Sequence, residues 1–262
     1  MQIPKQLQKL YVYIISRLIW TTEKYLFYPK LEGFYAALAE KTSSTLNAKN
    51  EKVVIFDVGA NKGQSIRFFK KLFSSAEIHA FETSPSTFKK LEGEIAKRLY
   101  SSTYAYAIGV SETSSTLPFY ESILDETSSF ELPNPKSKYL KRKNRILLNG
   151  HGATSQPVLI NVDSLENIVR DHEISAISIL KIDTEGHELS VFKGAMNLLR
   201  DKKIHVIQFE HHSDDMRPDH SREISNLLKG FGYVQGASIK HPFGEFYEEI
   251  YLSSDSSSKL QK

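Results

Sequence analysis

Four apolar runs in this chain end on a carboxylate: Val53 to Phe56 on Asp57, Ala76 to Phe81 on Glu82, Ile177 to Ile182 on Asp183, and Ile204 to Phe209 on Glu210. After the first comes a short turn, Asp57-Val58-Gly59-Ala60-Asn61-Lys62-Gly63. Glycines there let backbone approach a ligand closely, because neither has a Cβ. Glu82 follows Gly63 by about 20 residues, the place where a βαβ nucleotide site puts the carboxylate that grips ribose hydroxyls. A carboxylate accepts from two vicinal hydroxyls and repels a phosphate, so it suits an unphosphorylated ribose. The third and fourth acids lie in polar stretches. Asp183, Glu185, His187, Glu210, His211 and His212 are candidates for a general base. Asp183, Glu210 and His211 have the donor types of a divalent-metal set, but spacing alone establishes no metal site, and none is assigned. Glu188, one turn into the next helix, suits the positive end of that helix's dipole.

These side chains need a scaffold that collects strand ends along one edge. The apolar run before Asp57, its turn and a helix from Ser65 to Leu72 make one strand–turn–helix unit. A strand from Ala76 to Phe81 leads to a helix from Pro85 to about Leu99, with Ser84 as cap and Pro85 in the first turn. Further strands are expected at Thr103 to Ile108, Thr116 to Tyr120, Ile177 to Ile182 and Ile204 to Phe209. Helices are expected at His187 to Leu199 and Ser221 to Lys229, and a closing hairpin at Tyr233 to Lys240 and Phe246 to Leu252. Repeated βα units imply a mostly parallel sheet with helices on both faces.

The chain divides into an N-terminal helical extension and linker (1–50), a catalytic domain (51–252) and a polar tail (253–262). The aromatic stretch Leu7 to Trp20 is too short, and too interrupted by Arg17, to span a membrane, and it lacks a signal-peptide cleavage pattern. It reads as a helix packed across one end of the domain, or as a helix at a membrane surface. The expected location is cytoplasmic, with residues 7–20 as the segment for any peripheral membrane contact. Between Glu121 and Gln156 the alternation stops. That insertion carries Lys136, Lys138, Lys141, Arg142, Lys143 and Arg145, either as solvated surface or as a lid over an anionic acceptor.

Across 262 residues, 40% hydrophobic and 25% charged, the composition is that of a globular chain with a sizeable core. With 34 Lys and Arg against 31 Asp and Glu, the net charge of +3 gives no reason to expect nucleic acid as a partner. The absence of cysteine excludes disulfides and thiolate metal sites.

The spacing Gly59-x-x-x-Gly63, with an acid two places before it, departs from the Gly-x-Gly-x-x-Gly of dinucleotide loops. A carboxylate near the loop suits a cation better than a diphosphate. S-adenosylmethionine, with its sulfonium, ammonium and free ribose hydroxyls, fits. The chain resembles the FkbM-type family of S-adenosylmethionine-dependent methyltransferases. The likeness lies in Phe56-Asp57-Val58-Gly59-Ala60-Asn61-Lys62-Gly63, Ala80-Phe81-Glu82-Thr83-Ser84-Pro85, Ala107-Ile108-Gly109, Val162-Asp163-Ser164-Leu165 and Leu180-Lys181-Ile182-Asp183-Thr184-Glu185-Gly186-His187-Glu188.

The resemblance implies a Rossmann-like class I methyltransferase fold with a mostly parallel seven-stranded sheet. It also implies O-methylation of a sugar, glycolipid or related small molecule. Carried over residue by residue, Asp57, Gly59, Asn61 and Gly63 line the methionine end of the cofactor, Glu82 holds the ribose, and Ala107 and Ile108 border the adenine. Asp183 stands beside the transferred methyl, with Glu185 and His187 just beyond it; Glu210 stays a catalytic candidate from its place at a strand end. The competing readings are a nicotinamide-dependent oxidoreductase, disfavoured by the glycine spacing, and an inactive cofactor-binding scaffold, disfavoured by the polar strand ends.

Overall fold

The computed structural model describes residues 5–42, 52–121, 128–132, 134–138, 140–142, 157–212, 217, 219–243 and 245–254. The chain opens with helix α1 (Lys5–Thr22), runs through a five-residue π-helical stretch (Glu23–Phe27) and continues as α2 (Tyr28–Thr42). The helix expected over Leu7 to Trp20 falls within α1, and the three stretches are joined end to end. The linker expected beyond Thr42 lies outside the described residues. Tyr13, Ile14 and Leu18 of α1 are exposed, and no described helix is long and apolar enough to cross a membrane.

The main sheet is built from β1 (Val54–Val58), β2 (Glu77–Phe81), β3 (Thr103–Tyr106), β7 (Ile177–Ile182), β8 (Ile204–His212), β9 (Tyr233–Lys240) and β10 (Phe246–Ser253), in the order β3-β2-β1-β7-β8-β10-β9. Five strands are parallel; β10 runs antiparallel to both β8 and β9. Strand order reverses between β1 and β7, and a sheet that reverses opens a crevice at the carboxyl ends of the strands there.

Successive residues on a strand face opposite sides, and the core splits accordingly. Phe56, Leu180, Ile207 and Phe209 pack on one face under α5 (Leu165–Asp171), α6 (Glu188–Lys193), α7 (Met196–Arg200) and α8 (Ser221–Gly230). Ile55, Ile78, Ile179 and Val206 pack on the other with α2, α3 (Gln64–Leu72) and α4 (Pro85–Arg98). The cap read from sequence is present: Ser84 Oγ accepts from Thr87 N at 3.3 Å, and Pro85 opens α4.

Three expectations change. The strand expected over Thr103 to Ile108 stops at Tyr106, and Gly109 begins β4 (Gly109–Ser111). With β5 (Ser115–Phe119) and β6 (Val158–Ser164), β4 forms a separate three-stranded sheet, order β4-β6-β5. The helix expected from His187 to Leu199 is broken into α6 and α7 around Gly194. There the backbone passes so close to β4 that an added Cβ would lie 2.1 Å from the Ser111 carbonyl oxygen. Of the basic cluster, Lys136, Lys138, Lys141 and Arg142 are described, whereas Lys143 and Arg145 lie outside the described residues, as does the tail beyond 254.

Candidate active site

A cleft of about 1390 Å³ lies over the carboxyl edge of the sheet. A single small-molecule site occupies roughly 300–1,000 Å³, so this one has room for two ligands side by side. Its lining includes Gly59, Ala60, Asn61 and Glu82 from the turns after β1 and β2, and Lys181, Asp183, Glu185, Glu210, His212, His241 and Glu248 from β7, β8 and the closing hairpin.

The turn after β1 is held against β2 by the Gly59 and Ala60 amides, which donate to the Phe81 carbonyl at 2.9 and 3.0 Å. Gly59 has φ +82°, and a Cβ there would fall 1.8 Å from the Asp183 carbonyl oxygen. Glycine is therefore needed at this position for the turns after β1 and β7 to meet. At Gly63, also at φ +82°, the neighbour is the Leu91 side chain at 3.2 Å. Gly59 thus makes a contact within the protein and also lines the cleft, whereas Gly63 lies outside the lining.

Glu82 is buried at the end of β2. Its Oε2 accepts from Asn61 N and its Oε1 from Ser84 N, both at 2.8 Å. Burial pushes its carboxyl up to about 7, against the pull of those two amides. Asn61, in the left-handed region at φ +47°, lines the cleft, and its Oδ1 is buried with no hydrogen-bond partner among the described residues. One fixed carboxylate with spare lone pairs beside an unused amide oxygen fits the hydroxyls and ammonium of S-adenosylmethionine.

Asp57 sits deeper, fully buried and outside the cleft lining, 3.8 Å from Lys181 Nζ. Burial raises its carboxyl to about 6, with the Lys181 charge partly opposing that rise. Lys181 also donates to Asp183 Oδ2 at 3.1 Å. Burial disfavours the ammonium, but Asp183, Asp57 and Glu248 outweigh it and hold the lysine charged. The same contact overcomes burial at Asp183 and keeps that carboxyl below its usual range. In the sequence Lys181 stands out only as part of the Leu180 to Glu188 motif. A lysine inside an apolar strand, two residues before an acid, was the signal for this ion-pair bridge.

On β8, Glu210 and His212 face the cleft, with His212 Nε2 2.5 Å from Glu210 Oε1. Burial and the nearby Asp183 push the Glu210 carboxyl up to about 7. His211 faces the other side of the strand, 3.4 Å from Asp219 and stacked on Tyr247. The set Asp183, Glu210 and His211 is therefore not assembled, because neighbours on a strand point apart.

Glu185 reaches the cleft while pairing with Arg217, and its carbonyl accepts from Ser129 Oγ at 2.8 Å. His187 is outside the cleft lining: its Nε2 lies 3.0 Å from Ser111 Oγ, and its ring packs on Phe130. Glu188 closes the loop instead, accepting from Thr184 N, Thr184 Oγ1 and Gly186 N at 3.0 Å each. Ala107 and Ile108 also lie outside the lining; Ala107 is exposed and Ile108 packs on the core. Two residues that sequence reasoning missed, His241 and Glu248, come from the closing hairpin and face Glu210.

Sheet order, the antiparallel β10 and the cleft at the reversal point together define a class I methyltransferase fold. Residues 57–234 match the family described as Methyltransferase FkbM domain, and the chain belongs to that family. Hexuronic acid methyltransferase AglP of Haloferax volcanii is 24% identical over 163 residues, covering 62% of this chain and 58% of that protein. Methyltransferase sdnD of Sordaria araneosa is 28% identical over 154 residues, covering 53% of this chain and 59% of that protein. The chain thus spans under two thirds of the length of these curated relatives. Among solved structures it is similar to a magnesium protoporphyrin IX methyltransferase of Synechocystis with bound SAM (8% identity, 87% of this chain and 85% of that chain, TM-score 0.43). It is also similar to a precorrin-6y C5,15-methyltransferase of Geobacter metallireducens (11% identity, 84% and 87%, TM-score 0.44).

Proposed function

We propose that the chain is an S-adenosylmethionine-dependent O-methyltransferase acting on a hydroxyl of a sugar-bearing acceptor. The observation that carries this reading is that Glu82 and Asn61 line the same cleft as the ionised Asp183. Glu82 would hold the ribose hydroxyls and Asn61 Oδ1 the amino group. When bound, the cofactor supplies an electrophilic methyl group.

The chain's own residues handle the acceptor. Asp183, kept ionised by Lys181, takes the hydroxyl proton as the oxygen becomes a nucleophile, which is general-base help. Lys181 holds that carboxylate in place, and Glu185, fixed by Arg217, borders the acceptor side. His187 acts through position, securing the loop after β7 against Ser111. Arg142, the one described residue of the basic cluster that lines the cleft, supports an acidic sugar as acceptor. The name of the Haloferax relative points to the same class.

Titration calorimetry with S-adenosylhomocysteine and with NAD tests the cofactor, and S-adenosylhomocysteine release with uronic-acid and neutral glycosides tests the acceptor. Binding of the homocysteine nucleoside and turnover on uronic acids are expected. Binding of NAD in its place would overturn the reading, and turnover on neutral sugars alone would overturn the acidic acceptor.

A further inference from the structure

We infer that Glu210, His241 and Glu248 form a binding site for one divalent transition-metal ion on the acceptor side of the cleft. The three ligand atoms come from β8, from the turn after β9 and from β10, and all lie within 4.8 Å of one another. His241 and Glu248 lie beyond the residues that match the family, so the site is a property of this chain's closing hairpin.

The carboxylates are oriented before any ion arrives. In each, one oxygen is tied down and the other faces the imidazole. Glu210 Oε1 is 2.5 Å from His212 Nε2, leaving Oε2 3.8 Å from His241 Nε2. Glu248 Oε2 accepts from Gln208 Nε2 at 2.9 Å, leaving Oε1 3.8 Å from the same nitrogen. Outer partners of this kind fix the direction of metal ligands.

His241 is 9% exposed, and neither ring nitrogen makes a hydrogen bond among the described residues. Its ring is held by stacking on Phe27 at 3.9 Å, and Nδ1 faces Glu23 Oε1 at 3.7 Å. Nε2 faces the two carboxylates and Nδ1 faces Glu23; against the effect of burial these acids push the imidazole up to about 9, so an ion seated at Nε2 takes the place of a proton there. A separation of 3.8 Å is too long for a hydrogen bond. It is what two ligands of one ion show, since donors roughly 2.0–2.2 Å from a shared centre stand about 3.0–4.3 Å apart.

Two carboxylates and an imidazole suit Mn²⁺ or Zn²⁺ better than Ca²⁺ or Mg²⁺, which take oxygen donors. Two acids close together in a half-dry pocket also favour a cation between them. The ion's role rests on the methyl-transfer reading: it would polarise the acceptor hydroxyl and ease its proton loss to Asp183. Its binding does not rest on that reading.

The test is a Mn²⁺ titration of the full chain, stripped of metal at neutral pH, followed by electron paramagnetic resonance. One ion per chain is expected. His241→Gln and Glu248→Gln should each weaken binding by about tenfold or more. Glu185→Gln should leave it unchanged, because Glu185 belongs to a different cluster, with Glu210 and His212. Near-ultraviolet circular dichroism and S-adenosylhomocysteine affinity report separately whether each variant folds and keeps its cofactor end. No bound Mn²⁺ at millimolar metal in folded wild-type protein would overturn the inference. Binding lost in Glu185→Gln but kept in His241→Gln would overturn it too. Failure of nucleoside binding with Mn²⁺ retained would count against the methyltransferase reading and leave the metal site standing.

Discussion

At the residue scale, Glu82 and Asp183 show how burial of two carboxyls shifts them in opposite directions when their partners differ. Glu82 has only two backbone amides to support its charge, and burial wins, lifting it to about 7. Asp183 has an ammonium at 3.1 Å, and the ion pair wins. Ribose hydroxyls donating to Glu82 favour its ionised form, so a ligand held this way must displace a proton wherever Glu82 is protonated. Cofactor affinity should therefore rise as pH increases towards about 7, by up to tenfold per unit, and level off above it. Calorimetric S-adenosylhomocysteine affinity from pH 5.5 to 8.5 (roughly the span of one titration) measures this. Glu82→Gln should flatten the profile and weaken binding by about 1.5–3 kcal/mol, the worth of hydrogen bonds to a charged group. A wild-type affinity that ignores pH would remove Glu82 from the ribose.

At the scale of elements, what the sequence showed was periodicity, and what it hid was contact. The strands ending at Phe81, Ile182 and near Glu210 were legible because each is a β-branched or aromatic run closed by an acid. Of the small β4-β6-β5 sheet only β5 was legible, as the strand expected at Thr116 to Tyr120; β4 is three residues long and β6 follows the insertion, so neither stood out as a strand. The face of His211 was lost for a different reason: strand alternation decides it, and strand length was misjudged by the residues after Phe209. Gly194 is a contact of the same hidden kind. Its φ of −76° is open to any residue, so only the Ser111 carbonyl forbids a side chain. Gly194→Ala should cost about 1–3 kcal/mol as β4 and α6 are forced apart. Gly93, in α4 with nothing within 4 Å of an added Cβ, is the matched control: Gly93→Ala should stabilise by about 0.5–1 kcal/mol. Thermal denaturation compares the two, and equal melting temperatures would mean that the Ser111 contact relaxes freely.

At the scale of the whole molecule, the N-terminal extension lies outside the residues matched to the family yet is built into the site. Tyr35 of α2 is fully buried, edge-on to Phe68 and Phe69, and its hydroxyl donates to Gln208 Oε1 at 2.6 Å. Gln208 in turn donates to Glu248. That direction is forced, because a flipped amide would set its oxygen against a carboxylate. Glu23 and Phe27, from the π-helical stretch, reach His241 on the far wall. Tyr35→Phe keeps the ring and its packing and removes only the donor, leaving Gln208 Oε1 buried and unsatisfied. The expected cost is about 1–3 kcal/mol in urea denaturation. A loss of that size, with the m-value unchanged, would mean that extension and catalytic domain unfold together through this bond. If the extension merely rests on the domain, the substitution should leave the main unfolding transition where it is and split off a separate, earlier one.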